Sequence, residues 1–254
     1  LIAAVIDGPQ SRMTAGGALT SNSNGNSRFG TIAAGSGQIN AGAALAIDNA
    51  VIGGNLAATA GTNMLLGDVR ASGAGLLVAG TGLTATRLQG GSIDVRTTTG
   101  NLTVDTNISA GTTRLAAPGG AVIVNALQSA GAIDAVGRSV VVSGSGGLNF
   151  ANLQATAGDA RITATAGDLI VQSGLASNAL LLSAPAGNLT LQQGTAAAID
   201  LNALSAVRVA GATSASGDFS LTAGGLATID GATTGATMVL RSADIAIGSG
   251  GRLG

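Results

Sequence analysis

The chain has 254 residues, a formal net charge of −1, 46% hydrophobic residues and only 1% aromatic ones. Every basic residue is Arg and every acidic residue is Asp, and the scattered arginines argue against a nucleic-acid surface, which needs a clustered basic face. With no Cys and no His, disulfides, thiolate metal sites and the commonest nucleophile and base pairs are excluded.

The apolar residues are mostly Ala, Val, Leu and Ile, and Gly numbers 42. Such a composition predicts a thin core of small or branched side chains with glycine at corners. No composition break divides the chain, which reads as one repeat domain over 1–254. It opens at Leu1 and closes on Gly250-Gly251-Arg252-Leu253-Gly254 in mid-pattern, which reads as a fragment of something longer. The apolar runs Leu1 to Ile6, Leu76 to Ala79 and Ala179 to Leu182 are far shorter than the roughly 18 residues of a spanning helix.

Between Leu19 and Phe29 the chain is polar throughout, from Thr20 to Arg28, and this stretch is expected to protrude from a coil as a loop. Gly80-Thr81-Gly82 and Gly144-Ser145-Gly146-Gly147 lack the Lys of a phosphate loop and read as corners. Gly90-Gly91-Ser92-Ile93-Asp94 approximates only a fragment of a calcium-binding repeat, so no metal site is expected.

From Leu102 onwards two apolar residues one apart recur: Leu102/Val104, Val122/Val124, Val140/Val142, Leu169/Val171, Leu189/Leu191, Val207/Val209 and Ile245/Ile247. Their steps are 20, 18, 29, 20, 18 and 38 residues. Alternate side chains of a strand share a face, so each pair predicts one short strand. A strand that cannot bury itself alone gains a continuous core by stacking on the next repeat. The expected fold is all-β, a parallel β-helix of roughly 13 coils and about 60 Å, at 4.8 Å per coil.

A second series lies 7 to 9 residues upstream (Leu115, Ile133, Ile162, Leu182, Ile199, Met238), which gives each coil at least two strands and leaves a third open. The 29-residue step predicts about ten inserted residues, containing Phe150 and Leu153, in a second protrusion over 143–161.

Polar residues follow the same period. Asp94, Arg114 and Asp134, and likewise Asp105 and Asn125, are 20 apart and should stack outward on successive coils. Asn101, Asp159, Asp168, Asn188 and Asp218 follow corner glycines and could form ladders of side-chain hydrogen bonds. Asp is the only carboxylate type available for sugar-bond hydrolysis, and spacing alone does not bring pairs such as Asp159/Asp168 or Asp94/Asp105 face to face. With no Trp or Tyr to stack sugars, an enzyme is not expected, and no cofactor is. Sequons occur at Asn101, Asn107 and Asn188.

Segments such as Gly167-Asp168-Leu169-Ile170-Val171-Gln172-Ser173 and Gly187-Asn188-Leu189-Thr190-Leu191, each followed by an Ala/Ser/Gly-rich stretch, resemble the filamentous haemagglutinin family of two-partner-secreted exoproteins. The resemblance runs from about residue 40 to the end. It implies a right-handed β-helix, export through an outer-membrane partner, an extracellular place on the bacterial surface and a role in adhesion, aggregation or biofilm. The Asn-Pro-Asn-Gly-type motifs of that family's secretion domain do not occur here, so the likeness is to the repetitive shaft. The alternatives are a filament subunit associating end to end or laterally with its own kind, and, less favoured, a polysaccharide-processing β-helix. The ligand stays unknown at this stage.

Overall fold

The computed structural model describes residues 12–254, and the apolar run Leu1 to Ile6 lies outside them. All its elements are β-strands, paired in parallel, and the fold is a β-solenoid. Among the described residues no helix is long and apolar enough to cross a membrane. The chain divides into two compact units: one holds the described residues up to Asn125 with Ser129–Gly131, the other Ala126–Gln128 and Ala132–Gly254.

In the first unit each coil carries three strands. One sheet stacks Leu45, Met64, Leu83 and Leu102, each 19 residues on. A second stacks Arg12, Thr31, Asn49, Asp68, Arg87 and Thr106. A third stacks Leu19, Gly37, Leu56, Gly75, Ile93 and Thr113. Alternate residues point inward, so Leu45, Ile47, Met64, Leu66, Leu83, Leu102 and Val104 are buried. Each inward side chain meets its equivalents above and below, and one narrow core serves all three sheets.

The second unit repeats the plan. Its first sheet stacks Val140, Ala160, Leu180, Ile199, Phe219 and Met238. Its second stacks Leu148, Leu169, Leu189, Val207, Ala227 and Ile245. The third is built of small residues, with Gly174, Gly194, Thr213 and Thr233 in register. Ile245 and Ile247 continue their columns but are about half exposed, because no further described coil covers them.

This register corrects the expectation of an insertion over 143–161. Ser143 pairs with Thr163 and Leu148 with Leu169, steps of 20 and 21, so there is no ten-residue insertion, only one-residue shifts of register between Gly144 and Ser145 and between Ile133 and Asp134. Phe150 and Leu153 are fully buried strand residues. The 29-residue step arises because Val140 belongs to the first sheet and Leu169 to the second, while Ile133 pairs with Phe150 of the second. The two sequence series exchange sheets at this point.

The polar run Thr20 to Arg28 is also not a protruding loop. Thr20–Ser23 pair with Gln38–Ala41, Ser27 opens the next strand, and only Asn24, Gly25 and Asn26 turn the corner. Ser21 and Ser27 are buried, and the Asn26 side-chain oxygen accepts the backbone N–H of Ala44 at 3.0 Å. Small polar side chains point inward here, at the edge of the core.

One inward position breaks the apolar rule. The column Ile32, Ala50, Val69, Leu88 continues to Asn107, which is 0% exposed, with neither its amide nitrogen nor its oxygen hydrogen-bonded. A buried polar group without a partner costs about 1–3 kcal/mol. Asn107→Leu, which keeps the number and branching of side-chain heavy atoms, is expected to raise stability by about that amount. An increase in the urea midpoint at constant slope checks it. The same burial keeps the Asn107 sequon away from modifying enzymes in the folded chain.

Candidate functional site

Many polar side chains of the solenoid hold coils together. At corners, an Asn or Asp just before a strand accepts the backbone N–H one coil further on: Asn55 from Ala74 at 2.8 Å, Asn101 from Ala121 at 2.9 Å, and Asp168 from Asn188 at 2.8 Å. Asn188 passes the pattern to Ala206 at 3.2 Å. These rungs satisfy donors that the corner leaves without a sheet partner. The expected ladder is therefore present at Asn101, Asp159, Asp168 and Asn188.

Charges behave likewise. Asn125 donates to Asp105 at 3.0 Å across one coil, as its 20-residue spacing suggests. Arg114 lies in register with Asp94, but the ion pair of Asp94 goes to Arg96, two residues along the same strand, with Nε to Oδ1 at 2.7 Å. Two residues along a strand share a face, so the same-strand arginine can close a bidentate fork that a neighbour one rung away does not. The carboxylates weighed for sugar-bond hydrolysis are thus engaged: Asp94 by Arg96, Asp105 by Asn125, Asp159 by Asn178, Asp168 by Asn188.

Asp68 carries the densest cluster. Arg70 donates to it through Nε at 3.0 Å, and Arg87 stands 4.0 Å away. The hydrogen bond from Arg70 holds the Asp68 carboxyl below its ordinary range, against a smaller opposing effect of burial and with added attraction from both arginines. A carboxyl whose folded value is depressed stabilises the fold above its unfolded value and loses that contribution as pH falls through the folded one. Below about pH 4, Asp68→Asn is expected to lose thermal midpoint less steeply than the parent protein. At neutral pH the exposed pair makes the change small.

One face gathers polar side chains that have no partner within the protein. On the outward side of the second unit's first sheet, one column runs Val141, Arg161, Leu181, Asp200, Ser220 and Val239. The column beside it runs Ser143, Thr163, Ser183, Asn202, Thr222 and Arg241. Arg161, Thr163, Leu181, Ser183, Asp200 and Asn202 line a shallow groove across it. Arg161, Asp200 and Asn202 are exposed and the Thr163, Ser183 and Thr222 hydroxyls half-exposed. None of these polar groups makes a hydrogen bond or ion pair within the protein. The face therefore offers donors and acceptors that no other protein group engages.

The sequence reading did not find this surface. Its signal is the small polar series Thr163, Ser183, Asn202 and Thr222 at steps of 20, 19 and 20, visible only after the register is fixed. Ser143 and Arg161, the bounds of the expected insertion, fall at one end of the face. In comparison with known proteins, no family model, no curated protein and no solved structure matches this chain.

Proposed function

We propose that the chain is the structural or adhesive shaft of a large secreted bacterial surface protein of the filamentous haemagglutinin type, working in adhesion, aggregation or biofilm. The observation that carries this reading is the self-propagating coil. Each turn buries the same inward positions and hands a side-chain amide rung to the next, as Asp168, Asn188 and Ala206 do, so length can be added without redesigning the unit. The repeats around Gly167–Ser173 and Gly187–Leu191 support the family likeness.

In this reading the protein spans the space outside the cell, is exported through an outer-membrane partner, and binds and holds without catalysing. Antibody against the segment, applied to intact and lysed cells of the producing bacterium, tests it. Labelling of intact cells that disappears when the outer-membrane partner is deleted is the expected result. Antigen confined to the cytosol would refute the reading. Fibres that lengthen with concentration of the isolated chain would favour the end-to-end filament subunit instead.

A further inference from the structure

We propose that Asn24 is a site of spontaneous covalent modification, where the side-chain amide is lost through a cyclic imide to leave aspartate or isoaspartate at the corner between Ser23 and Ser27. Asn24 precedes Gly25, and Asn-Gly occurs once in the chain. With no Cβ, glycine hinders approach to its own backbone nitrogen less than any other residue does. Asn24 is exposed and Gly25 half-exposed, so water reaches both. The Asn24 side chain makes no hydrogen bond to any described residue, so none has to break first.

Ring closure needs the amide nitrogen of the next residue, and the fold leaves that nitrogen freer here than at other corners. After Asn26, Asn63 and Asn188 it belongs to Ser27, Met64 and Leu189, which donate to Ala44, Gly82 and Ala206 of the neighbouring coil at 2.8, 2.9 and 2.9 Å. An amide so engaged cannot turn toward the preceding side chain without giving up a bond between coils. The Gly25 N–H goes instead to the Ser23 hydroxyl at 3.2 Å. That bond is local, and breaking it leaves the coil stack intact.

In the reaction the Gly25 nitrogen gives its proton to base and bonds to the Asn24 Cγ. The Cγ–Nδ2 bond breaks, and the nitrogen leaves as ammonia with a proton from solvent. The resulting imide then takes up water. Opening at Cγ restores the original backbone and leaves aspartate, whereas opening at the Asn24 main-chain carbonyl carbon routes the chain through the side chain and leaves isoaspartate. The second product lengthens the backbone by a methylene. Ser23 O accepts the Gly42 N–H at 2.7 Å and Gly25 O the Ala43 N–H at 3.1 Å, and the Asn24 carbonyl lies so close to Gly42 that a Cβ there would overlap it. A longer backbone between Ser23 and Gly25 cannot keep both acceptors in place, so isoaspartate loosens this coil from the next.

Peptide mapping of the folded chain, held at mildly alkaline pH, is the test. Trypsin frees residues 13–28, bounded by Arg12 and Arg28, and electron-transfer fragmentation separates Asn24 from Asn22 and Asn26, and isoaspartate from aspartate. Conversion of Asn24 to both products is expected, faster as pH rises because attack needs the deprotonated nitrogen, while Asn63, Asn101 and Asn188 keep their amides. The isoaspartate form should lose hydrogen-exchange protection at Gly42 and Ala43. Gly25→Ala should lose the conversion yet keep the fold by circular dichroism, since a Cβ on Gly25 meets nothing within 4 Å and the positive-φ glycines among the described residues are Gly146 and Gly167. An Asn24 amide that persists as long as the other corner amides, conversion only after unfolding in urea, aspartate without isoaspartate, or an equal rate in Gly25→Ala overturns the proposal. Any of these results leaves the export and shaft reading standing, because that reading is decided on intact cells.

Discussion

Gly61→Ala is expected to destabilise the first unit by about 3 kcal/mol or more, at the upper end of overpacking effects. Gly42, Gly61 and Gly80 stack at the same corner of successive coils, 19 residues apart. Gly61 and Gly80 are held by backbone bonds to Ala41 and Ala60 at 2.9 and 3.0 Å. A Cβ on Gly61 would overlap the carbonyl oxygen of Gly42, and one on Gly80 that of Gly61. What would be struck is backbone, so relief requires moving a whole coil. The dihedral angles are not the cause, since the positive-φ glycines among the described residues are Gly146 and Gly167.

The same substitution at Gly75 should act in the opposite sense. A Cβ there finds only Ser92 O, at 3.9 Å, and it borders a void lined by Leu56, Leu77, Leu88 and Ile93. Gly75→Ala is expected to stabilise by about 0.4–1 kcal/mol. Denaturant midpoints of the two variants, measured side by side, separate close coil approach from glycine content as the reason for these residues.

Phe150→Ala is the second large effect, an expected loss of about 3–5 kcal/mol. Phe150 is 0% exposed and stacks between Ile133 and Val171. A core of Leu, Val and Ala has no second aromatic beside it to slide into the gap. Phe150→Leu, which refills most of the volume, should recover more than half of the loss. If Phe150→Ala were nearly neutral, residues 143–161 would not be packed strands and the corrected register would fail.

The period was legible because every coil spends nearly the same number of residues, and its inward positions in two sheets carry Val, Leu or Ile. The third sheet was not legible in the second unit. Its inward residues are Gly174, Ala176, Gly194, Ala196, Thr213 and Ala215, which resemble corner residues in type. The polar run from Thr20 misled because small polar side chains such as Ser21 and Ser27 can face inward at a narrow corner. The candidate face stayed hidden for a related reason. Thr, Ser and Asn are common throughout this chain, and only register places five of them in one column.

The account rests on stacked coils, and a single distance tests them most directly. Val141 and Val239 are 98 residues apart in sequence but five rungs apart in the second unit, through Arg161, Leu181, Asp200 and Ser220. Both are exposed, and the chain has no cysteine to compete for label. Spin labels on Val141→Cys and Val239→Cys, measured by pulsed electron paramagnetic resonance, should give a narrow distribution centred near 24 Å, five times the spacing of about 4.8 Å, before allowance for the label tethers. A broad distribution, or a narrow one centred far from that value, would contradict the register on which the fold, the rungs and the outward polar face all depend.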